Sequence, residues 1–350
     1  MNWTKLVKLI PISVTLLLML FIMIILIQGV MNSSTAPYIN VNDNSLAEGL
    51  LDNLSAASDA SGSSGVASLS DSADSSGTDP ALSKENASSN NKENAFTTVH
   101  MDKSDVNRGN LLLINHNNKY EIPDSNDLVS IAESKTKSYV VTDSVLLLSD
   151  TVIKPLNDMM DAFCDETGCD TVAIASAFRD YQRQQEILDY YVSIVGLDDA
   201  KKWAASPGHS EHHSGLSVDF GIFNDGVVKT FLRTGIYEWF FQNSDRYGFI
   251  PRYPGDKSDI TKTANEPWHF RYVGLPHAYF IRQSGLCFEE YMEFIMDFTR
   301  GRPYCATFDG KAYEVYFTRD TDILVPADSE ADISGNNIDG FIVTVVKDLT

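Results

Sequence analysis

Three histidines, His209, His212 and His213, stand within five residues in the stretch SPGHSEHHSGLSVDF, and Asp219 follows shortly after them. The whole sequence contains seven histidines, so nearly half of them lie here. Imidazole nitrogens and carboxylate oxygens are ligands that proteins use for zinc. The stretch therefore predicts part of a metal site, and at this point any of the three histidines is a candidate ligand.

The residues after the histidines predict a strand that turns Asp219 away from the core. Leu216, Val218 and Phe220 alternate with other residues and form one apolar face. Asp219 must then point to the opposite face. An aspartate among core strands is costly unless it is paired or bound to a cation. The alternative is a surface-facing aspartate on an edge strand.

A second stretch, NEPWHFRYVG, adds a further candidate ligand. Its aromatic residues alternate, so His269 and Arg271 share the opposite, polar face of a predicted strand. Glu266 precedes His269 by three residues, and Pro267 is expected to break the strand so that a turn holds the two together. Zinc hydrolases need three protein ligands, an open position for water and a base nearby. For Arg271 we expect an ion pair that supports the site.

These stretches resemble motifs of the zinc D-alanyl-D-alanine carboxypeptidases, the VanY-like branch of the peptidases that trim peptidoglycan stems. SEHHSGLSVD is similar to their Ser-x-His-x6-Asp motif and EPWHFRY to their Glu-x-Trp-His motif. SAFRDYQRQ is similar to their Ser-x-x-Arg segment with a glutamine five residues later. The resemblance spans roughly Gly109 to Met292, with the three motifs in the family's order. It implies a Zn²⁺ cofactor and a peptidoglycan stem peptide as the substrate.

The resemblance also implies the metal ligands and the catalytic residues. The implied ligands are His212, Asp219 and His269, because six residues separate His212 from Asp219 as in the family motif. Glu266 is implied as the general base and acid. Arg179 matches the family's arginine, which contacts the substrate near its scissile carbonyl or terminal carboxylate.

Three further residues are implied to bind the substrate. Ser210 and Gln184 would help to seat the peptide end. Ser176 would be a third contact, or alternatively a hydrogen-bonding residue at the end of a strand. His209 and His213 are interpreted as neighbours of the metal site that do not ligate.

The elements around the motifs predict an α+β fold, with mixed helices and an antiparallel sheet. IKPLNDMMDAFCDETG, YQRQQEILDYYVSIVGL and CFEEYMEFIMDF have helical periodicity, and DTVAIASAFR predicts a buried strand. GNLLLINHNNKYEI predicts a hairpin. We place the zinc carboxypeptidase domain at 97–300 and a small β-rich appendage at 301–350, where AYEVYFTRDT and GFIVTVVKDL predict strands.

The N-terminal part predicts a membrane anchor and a tether. Residues 9–27 carry no charge, and nineteen helical residues at ~1.5 Å each match the hydrocarbon core of a bilayer. Lys5 and Lys8 precede this segment and no lysine or arginine follows before Lys84, which places the remainder outside. We predict a transmembrane anchor within 1–31, with a cleaved signal peptide as the alternative. The Ser/Asp/Asn-rich segment 32–96 predicts a disordered tether.

Charge and cysteine content restrict the partners and the compartment. The formal net charge of −21 argues against nucleic acid as a partner. The four cysteines lie in the part predicted to be outside, where both disulfides and free thiols are possible. We expect a single-pass protein of the cell membrane with its catalytic domain on the extracytoplasmic side. The sequence leaves its oligomeric state open.

Three functions are compatible with these features. The first is a D,D-carboxypeptidase that removes the terminal D-Ala from pentapeptide stems. The second is an L,D-carboxypeptidase acting on tetrapeptide stems with the same metal and base. The third, from another class, is a non-catalytic wall-binding domain, which predicts the loss of a ligand or of the base. Because all three ligands and the base are present, the sequence favours an enzyme.

Overall fold

The computed structural model describes residues 96–123 and 127–348. The predicted anchor at 1–31 and the predicted tether at 32–96, apart from Phe96, lie outside the described residues. Within the part that is described, none of the helices combines the length and the apolar character needed to cross a membrane. The anchor and the tether therefore stay predictions.

The described residues form fourteen strands and eight α-helices. The strands are β1 (Phe96–His100), β2 (Leu128–Ser130), β3 (Val140–Val141), β4 (Leu147–Ser149), β5 (Val172–Ser176), β6 (Ser217–Asn224), β7 (Val227–Thr230), β8 (Phe249–Tyr253), β9 (Glu266–Tyr272), β10 (Tyr304–Phe308), β11 (Lys311–Thr318), β12 (Asp322–Pro326), β13 (Glu330–Gly335) and β14 (Phe341–Asp348). The helices are α1 (Ile131–Ser134), α2 (Asp150–Thr167), α3 (Tyr181–Val195), α4 (Leu197–Ala200), α5 (Glu238–Asn243), α6 (Ser258–Thr261), α7 (His277–Ser284) and α8 (Phe288–Met296).

A six-stranded sheet forms the centre of the molecule, in the order β3-β5-β6-β9-β8 with β7 beside β6. All neighbouring strands are antiparallel except β3 and β5, which are parallel. The expectation of an antiparallel sheet is therefore wrong at this edge. The chain between β3 and β5 passes through α2, and a long crossover of this kind is what a parallel pair requires.

The main core lies between this sheet and α2. Met159, Met160 and Phe163 of α2 are fully buried in it, as the helical periodicity predicts. Val218 and Phe220 of β6 enter the same core, and the ring of Phe220 lies 4.8 Å from that of Phe270 on β9. The predicted apolar face of β6 is thus confirmed, and the other face of this sheet is left for polar residues.

The C-terminal strands pack directly onto helices of the preceding region. β10, β11, β14 and β13 form a four-stranded antiparallel sheet, and β12 pairs with β1 at the start of the described chain. Phe288, Tyr291 and Ile295 of α8 share one hydrophobic cluster with Val315 and other residues of β11 and β14. Strands are present after residue 300 as expected, and they are continuous with the core beneath α7 and α8.

The predicted hairpin between Gly109 and Ile122 does not form strands. Asn115 and Asn118 do exchange backbone hydrogen bonds, so the expected turn exists. The flanking residues bond elsewhere, however: the backbone N–H of Leu113 donates to Asn336 and that of Tyr120 donates to Gly208. Partners that are distant in sequence thus replace the local pairing. All four cysteines of the chain are free thiols.

Candidate metal centre

The three predicted ligands converge on the polar face of the central sheet. His212, Asp219 and His269 each offer one ligand atom, and these atoms lie within 4.8 Å of one another in a buried setting. Asp219 Oδ2 is 3.2 Å from His212 Nε2, and Asp219 Oδ1 is 2.9 Å from His269 Nδ1. The register of β6 with β9 places Asp219 directly opposite His269. The arrangement can hold a divalent cation.

A tight turn carries His212 to this position. Residues Glu211–Ser214 form a 3₁₀ turn that ends at Gly215, whose φ of 69° lies in the left-handed region. A Cβ at Gly215 would also lie 2.6 Å from Leu128 Cδ2, so glycine suits both the backbone and the packing. Immediately after this turn the chain enters β6, which carries Asp219.

The hydrogen bonding of His212 leaves one ring nitrogen suited to a metal. Nδ1 lies 2.6 Å from the carbonyl oxygen of Ala177, which can only accept, so Nδ1 carries the proton. Burial, with Arg179 nearby, lowers the pKa of His212 to about 4 and keeps the ring neutral. Nε2 is then an unprotonated, buried nitrogen that faces Asp219 Oδ2 at 3.2 Å with no proton between the two acceptors, so it has no hydrogen-bond partner. This orphaned atom fits a zinc ligand.

A distortion of β9 brings Glu266 to the same face as His269. Residues three apart normally point to opposite faces of a strand. Pairing with β8 shifts here, since Pro251 lies opposite Phe270 but Tyr253 lies opposite Glu266. This bulge re-aims the side chains, and Glu266 Oε2 lies 3.9 Å from His269 Nδ1.

The expectation that Pro267 breaks the strand is therefore wrong, because Pro267 lies inside β9. A bulge tolerates proline, which has no N–H to donate to a regular ladder. Burial raises the pKa of Glu266 to about 8, with the nearby Asp219 adding to the rise and His269 opposing it. A carboxyl group with a raised pKa suits proton transfer near neutral pH.

Two of the predicted substrate-binding residues and Arg179 line the cleft next to the ligands. Arg179, Gln184, Ser210 and Glu266 all face a cavity of about 50 Å³. Arg179 Nη2 lies 4.0 Å from Asp219 Oδ2. Ser176 ends β5 opposite Asp219 and is not among the residues that line this cavity. For Ser176 the structure agrees better with the strand-end alternative.

The amide of Gln184 shows how the cleft could bind a peptide. Its Nε2 donates to the carbonyl oxygen of Ala205 at 2.7 Å, while its buried Oε1 has no hydrogen-bond partner. An unpartnered buried acceptor that lines a cleft is costly unless a ligand donates to it.

His209 and His213 are engaged in other contacts. His213 Nδ1 donates to the carbonyl oxygen of Arg179 at 2.6 Å, and its Nε2 accepts from the backbone N–H of Gly208 at 3.0 Å. His209 Nδ1 lies 2.8 Å from the carbonyl oxygen of Asn115. Both therefore shape the loops around the centre, in agreement with their interpretation as neighbours.

Behind His269 the structure shows a buried charge cluster that sequence reasoning largely missed. Arg271 Nη1 pairs with Glu211 Oε1 at 2.9 Å, which confirms the expected ion pair. Arg252 and Glu289 also belong to this cluster. A signal existed in the strand FIPRY, where Arg252 follows hydrophobic residues typical of a buried strand.

Comparison with known proteins identifies the family. Residues 146–275 match the family model described as VanY: D-alanyl-D-alanine carboxypeptidase. A D-alanyl-D-alanine carboxypeptidase of Enterococcus faecium is 32% identical over 272 residues, which cover 75% of this chain and 82% of that protein.

One solved structure agrees with this assignment over most of the chain. The vancomycin resistance D,D-dipeptidase VanXYg, in complex with a D-Ala-D-Ala phosphinate analog, is 31% identical with a TM-score of 0.64. The likeness covers 72% of this chain and 100% of that one. A vancomycin resistance D,D-pentapeptidase VanY in complex with Zn(II) is 34% identical with a TM-score of 0.44, covering 52% of this chain and 98% of that one. The chain belongs to the VanY family of D-alanyl-D-alanine carboxypeptidases.

Proposed function

We propose that this protein is a zinc D,D-carboxypeptidase that hydrolyses the terminal D-Ala from peptidoglycan pentapeptide stems. The observation that carries the proposal is the orphaned Nε2 of His212, buried beside Asp219 and His269. Nε2 of His212, a carboxylate oxygen of Asp219 and Nδ1 of His269 would hold the ion. When bound, Zn²⁺ supplies a Lewis acid that polarises a carbonyl and lowers the pKa of water.

Glu266 would carry the proton during hydrolysis. Its carboxylate accepts a proton from the attacking water and returns it to the leaving amine of the terminal D-Ala. The bulge in β9 positions Glu266 for both steps, because it places the carboxylate beside the ligands and within the cleft. The buried setting of Glu266 favours the protonated form that the second step needs, and a cation held by the neighbouring ligands would favour the carboxylate that the first step needs.

Arg179 and Gln184 would seat the end of the peptide. The guanidinium of Arg179 can bind a carboxylate with two parallel hydrogen bonds. Its backbone is anchored to the histidine turn, since its N–H donates to His212 and its carbonyl accepts from His213. Gln184 Oε1 would accept from a peptide N–H, and Ser210, which lines the same cleft, would contribute a hydroxyl group.

A location outside the cytoplasmic membrane completes the proposal. The uncharged segment 9–27 is long enough to anchor the chain, and the lysines before it favour export of the remainder. The substrate lies on that side of the membrane. The proposal predicts that a full-length chain fractionates with membranes and that an intact cell exposes the catalytic domain to external protease.

The central test is the replacement Glu266→Gln. The variant keeps its shape and zinc but loses the base, so we expect turnover of pentapeptide muropeptides to fall by roughly 10²- to 10⁴-fold. Asp245→Asn is the matched control, because Asp245 is a buried carboxyl that pairs with Arg282 outside the ligand cavity.

Mass spectrometry of muropeptides separates the remaining alternatives. Loss of one D-Ala from pentapeptides, with tetrapeptides unchanged, supports the proposal. Shortening of tetrapeptides instead would identify an L,D-carboxypeptidase. A zinc-loaded wild-type protein that changes neither substrate would identify a non-catalytic binding domain.

A further inference from the structure

A cluster of four buried charges lies directly behind His269, and the chemistry proposed above does not use it. Its members are Glu211, Arg252, Arg271 and Glu289, of which the first three are at most 1% exposed. Two are cationic and two are anionic, so their formal charges balance. Burying four charges is expensive, and they are stable only where each one has close partners.

Glu211 divides its two carboxylate oxygens between the cluster and the metal centre. Oε1 accepts from Arg252 Nε at 2.7 Å and lies 2.9 Å from Arg271 Nη1. Oε2 lies 3.3 Å from His269 Nε2. The side chain therefore connects two fixed guanidinium groups to the ring nitrogen of His269 that faces away from Asp219.

Each guanidinium is itself held in place. Arg252 donates to both oxygens of Glu289, at 2.8 and 2.6 Å. Arg271 Nη2 donates to the carbonyl oxygen of Leu112 at 2.9 Å. These contacts join β8 and β9 to α8 and to the segment before α1. Glu211 consequently has little freedom to move away from His269.

The ring of His269 is also enclosed on other sides. The ring of Tyr253 lies 4.9 Å from it, and the ring of His212 lies at the same distance and nearly perpendicular to it. An imidazole held this way still has a choice of which nitrogen carries the proton. The hydrogen bond made by one nitrogen decides which form the other takes.

We propose that Glu211 is a positioning residue of the metal centre, whose carboxylate accepts the Nε2–H of His269 and so presents Nδ1 of that ring to Zn²⁺. This inference rests on the proposed function, because it requires His269 to be a ligand. Arg252 and Arg271 act through Glu211 by fixing its other oxygen. A purely structural role for the cluster is the alternative, in which the charges only join strands to α8.

A matched pair of variants separates these two roles. Glu211→Gln and Glu289→Gln each remove one negative charge from the same buried cluster, but only Glu211 contacts His269. Zinc affinity is measured on the whole chain by competition with a chromophoric chelator. Thermal unfolding of the metal-free proteins reports how much each change disturbs the fold.

We expect Glu211→Gln to weaken zinc binding by roughly 10- to 100-fold, the usual effect of losing a partner of a ligating histidine. Glu289→Gln should weaken zinc binding much less, because Glu289 reaches His269 only through Arg252 and Glu211, although both variants lose stability. Equal losses of zinc affinity in the two variants, or an unchanged affinity in Glu211→Gln, would overturn the inference. Absence of zinc binding in the wild type would instead refute the proposed function.

A measurement on the wild type covers the case in which Glu211→Gln fails to fold. Spectra of zinc-loaded protein with ¹⁵N-labelled histidine show which nitrogen of each ligating ring is protonated. We expect one zinc-bound ring with a proton on Nδ1, from His212, and a second with a proton on Nε2, from His269. Two zinc-bound rings that are both protonated on Nδ1 would contradict the positioning role of Glu211.

Discussion

The buried imidazole of His277 is expected to make the stability of the fold depend on pH. His277 is 2% exposed at the start of α7. Its Nδ1 lies 2.6 Å from the hydroxyl of Tyr291 and its Nε2 lies 2.9 Å from the hydroxyl of Thr344. Burial lowers the pKa of His277 to about 3 and keeps the Tyr291 hydroxyl un-ionised. Neither hydroxyl partner offers a negative charge to an imidazolium.

The size of this pH dependence follows from the difference between the pKa of His277 in the folded chain and in the unfolded chain. The ordinary pKa of histidine is 6.5, so below that pH the unfolded chain binds a proton at residue 277 that the folded chain does not bind. The contribution of neutral His277 is complete above pH 6.5 and is lost progressively as the pH falls towards 3. The slope approaches about 1.36 kcal/mol per pH unit once the unfolded imidazole, half protonated at pH 6.5, is fully protonated. Going from pH 6.5 to 4.5 therefore lowers the free energy of unfolding by roughly 2 kcal/mol.

The measurement is urea unfolding of the metal-free chain at several pH values. His277→Gln removes the titrating group, and the difference between the two proteins cancels the other titrations. We expect the wild type to lose stability faster than the variant between pH 6.5 and 4.5. His116→Gln is the control, since His116 is exposed. Parallel pH profiles for the wild type and His277→Gln would refute the reasoning.

Two further predictions concern the cleft and the contact between the ends of the described chain. Arg179→Ala should lower kcat/KM on pentapeptide muropeptides by roughly 10- to 100-fold, because it removes a charged hydrogen bond to the substrate. Arg183→Ala, outside the cleft, should leave kcat/KM unchanged. Equal effects of the two variants in steady-state assays would contradict the role of Arg179. Gly335→Ala should destabilise the fold by roughly 1–3 kcal/mol, because its Cβ would meet the carbonyl oxygen of Val106. Gly301→Ala, with open space around it, is the control, and equal urea midpoints for both variants would refute this prediction.

Local patterns were sufficient to assign Asp219 and His269 to the polar faces of their strands. The alternation around Val218 assigns Asp219 to the polar face because a strand has a period of two, whatever its neighbours are. The alternation around Phe270 does the same for His269. To predict that Asp219 and His269 lie opposite each other, the register of β6 and β9 is also needed. The strand patterns do not give this register, and the family motifs supplied the pairing instead.

Features that depend on distant partners were not predictable in this way. The bulge that aligns Glu266 with His269 arises from pairing with β8, and the period of β9 alone gives the opposite face for Glu266. Glu211 and Arg252 lie on separate elements, so their contact produces no periodic pattern in the sequence from which it could be predicted. The predicted hairpin failed for the same reason, since Asn336 supplies a backbone partner that no local pattern indicates.

The pairing of β1 with β12 has a consequence for the order of folding. His100 and Asp322 lie 222 residues apart in the chain, yet their side chains are in contact where the two strands pair. During synthesis β1 emerges long before β12, so its partner edge does not exist while most of the enzyme is being made. Contacts between such distant residues form slowly, because the entropy cost of closing a long loop precedes the stabilisation that the contacts provide. The first described strand is therefore a late-folding element, and nascent chains released before β12 will expose it to solvent.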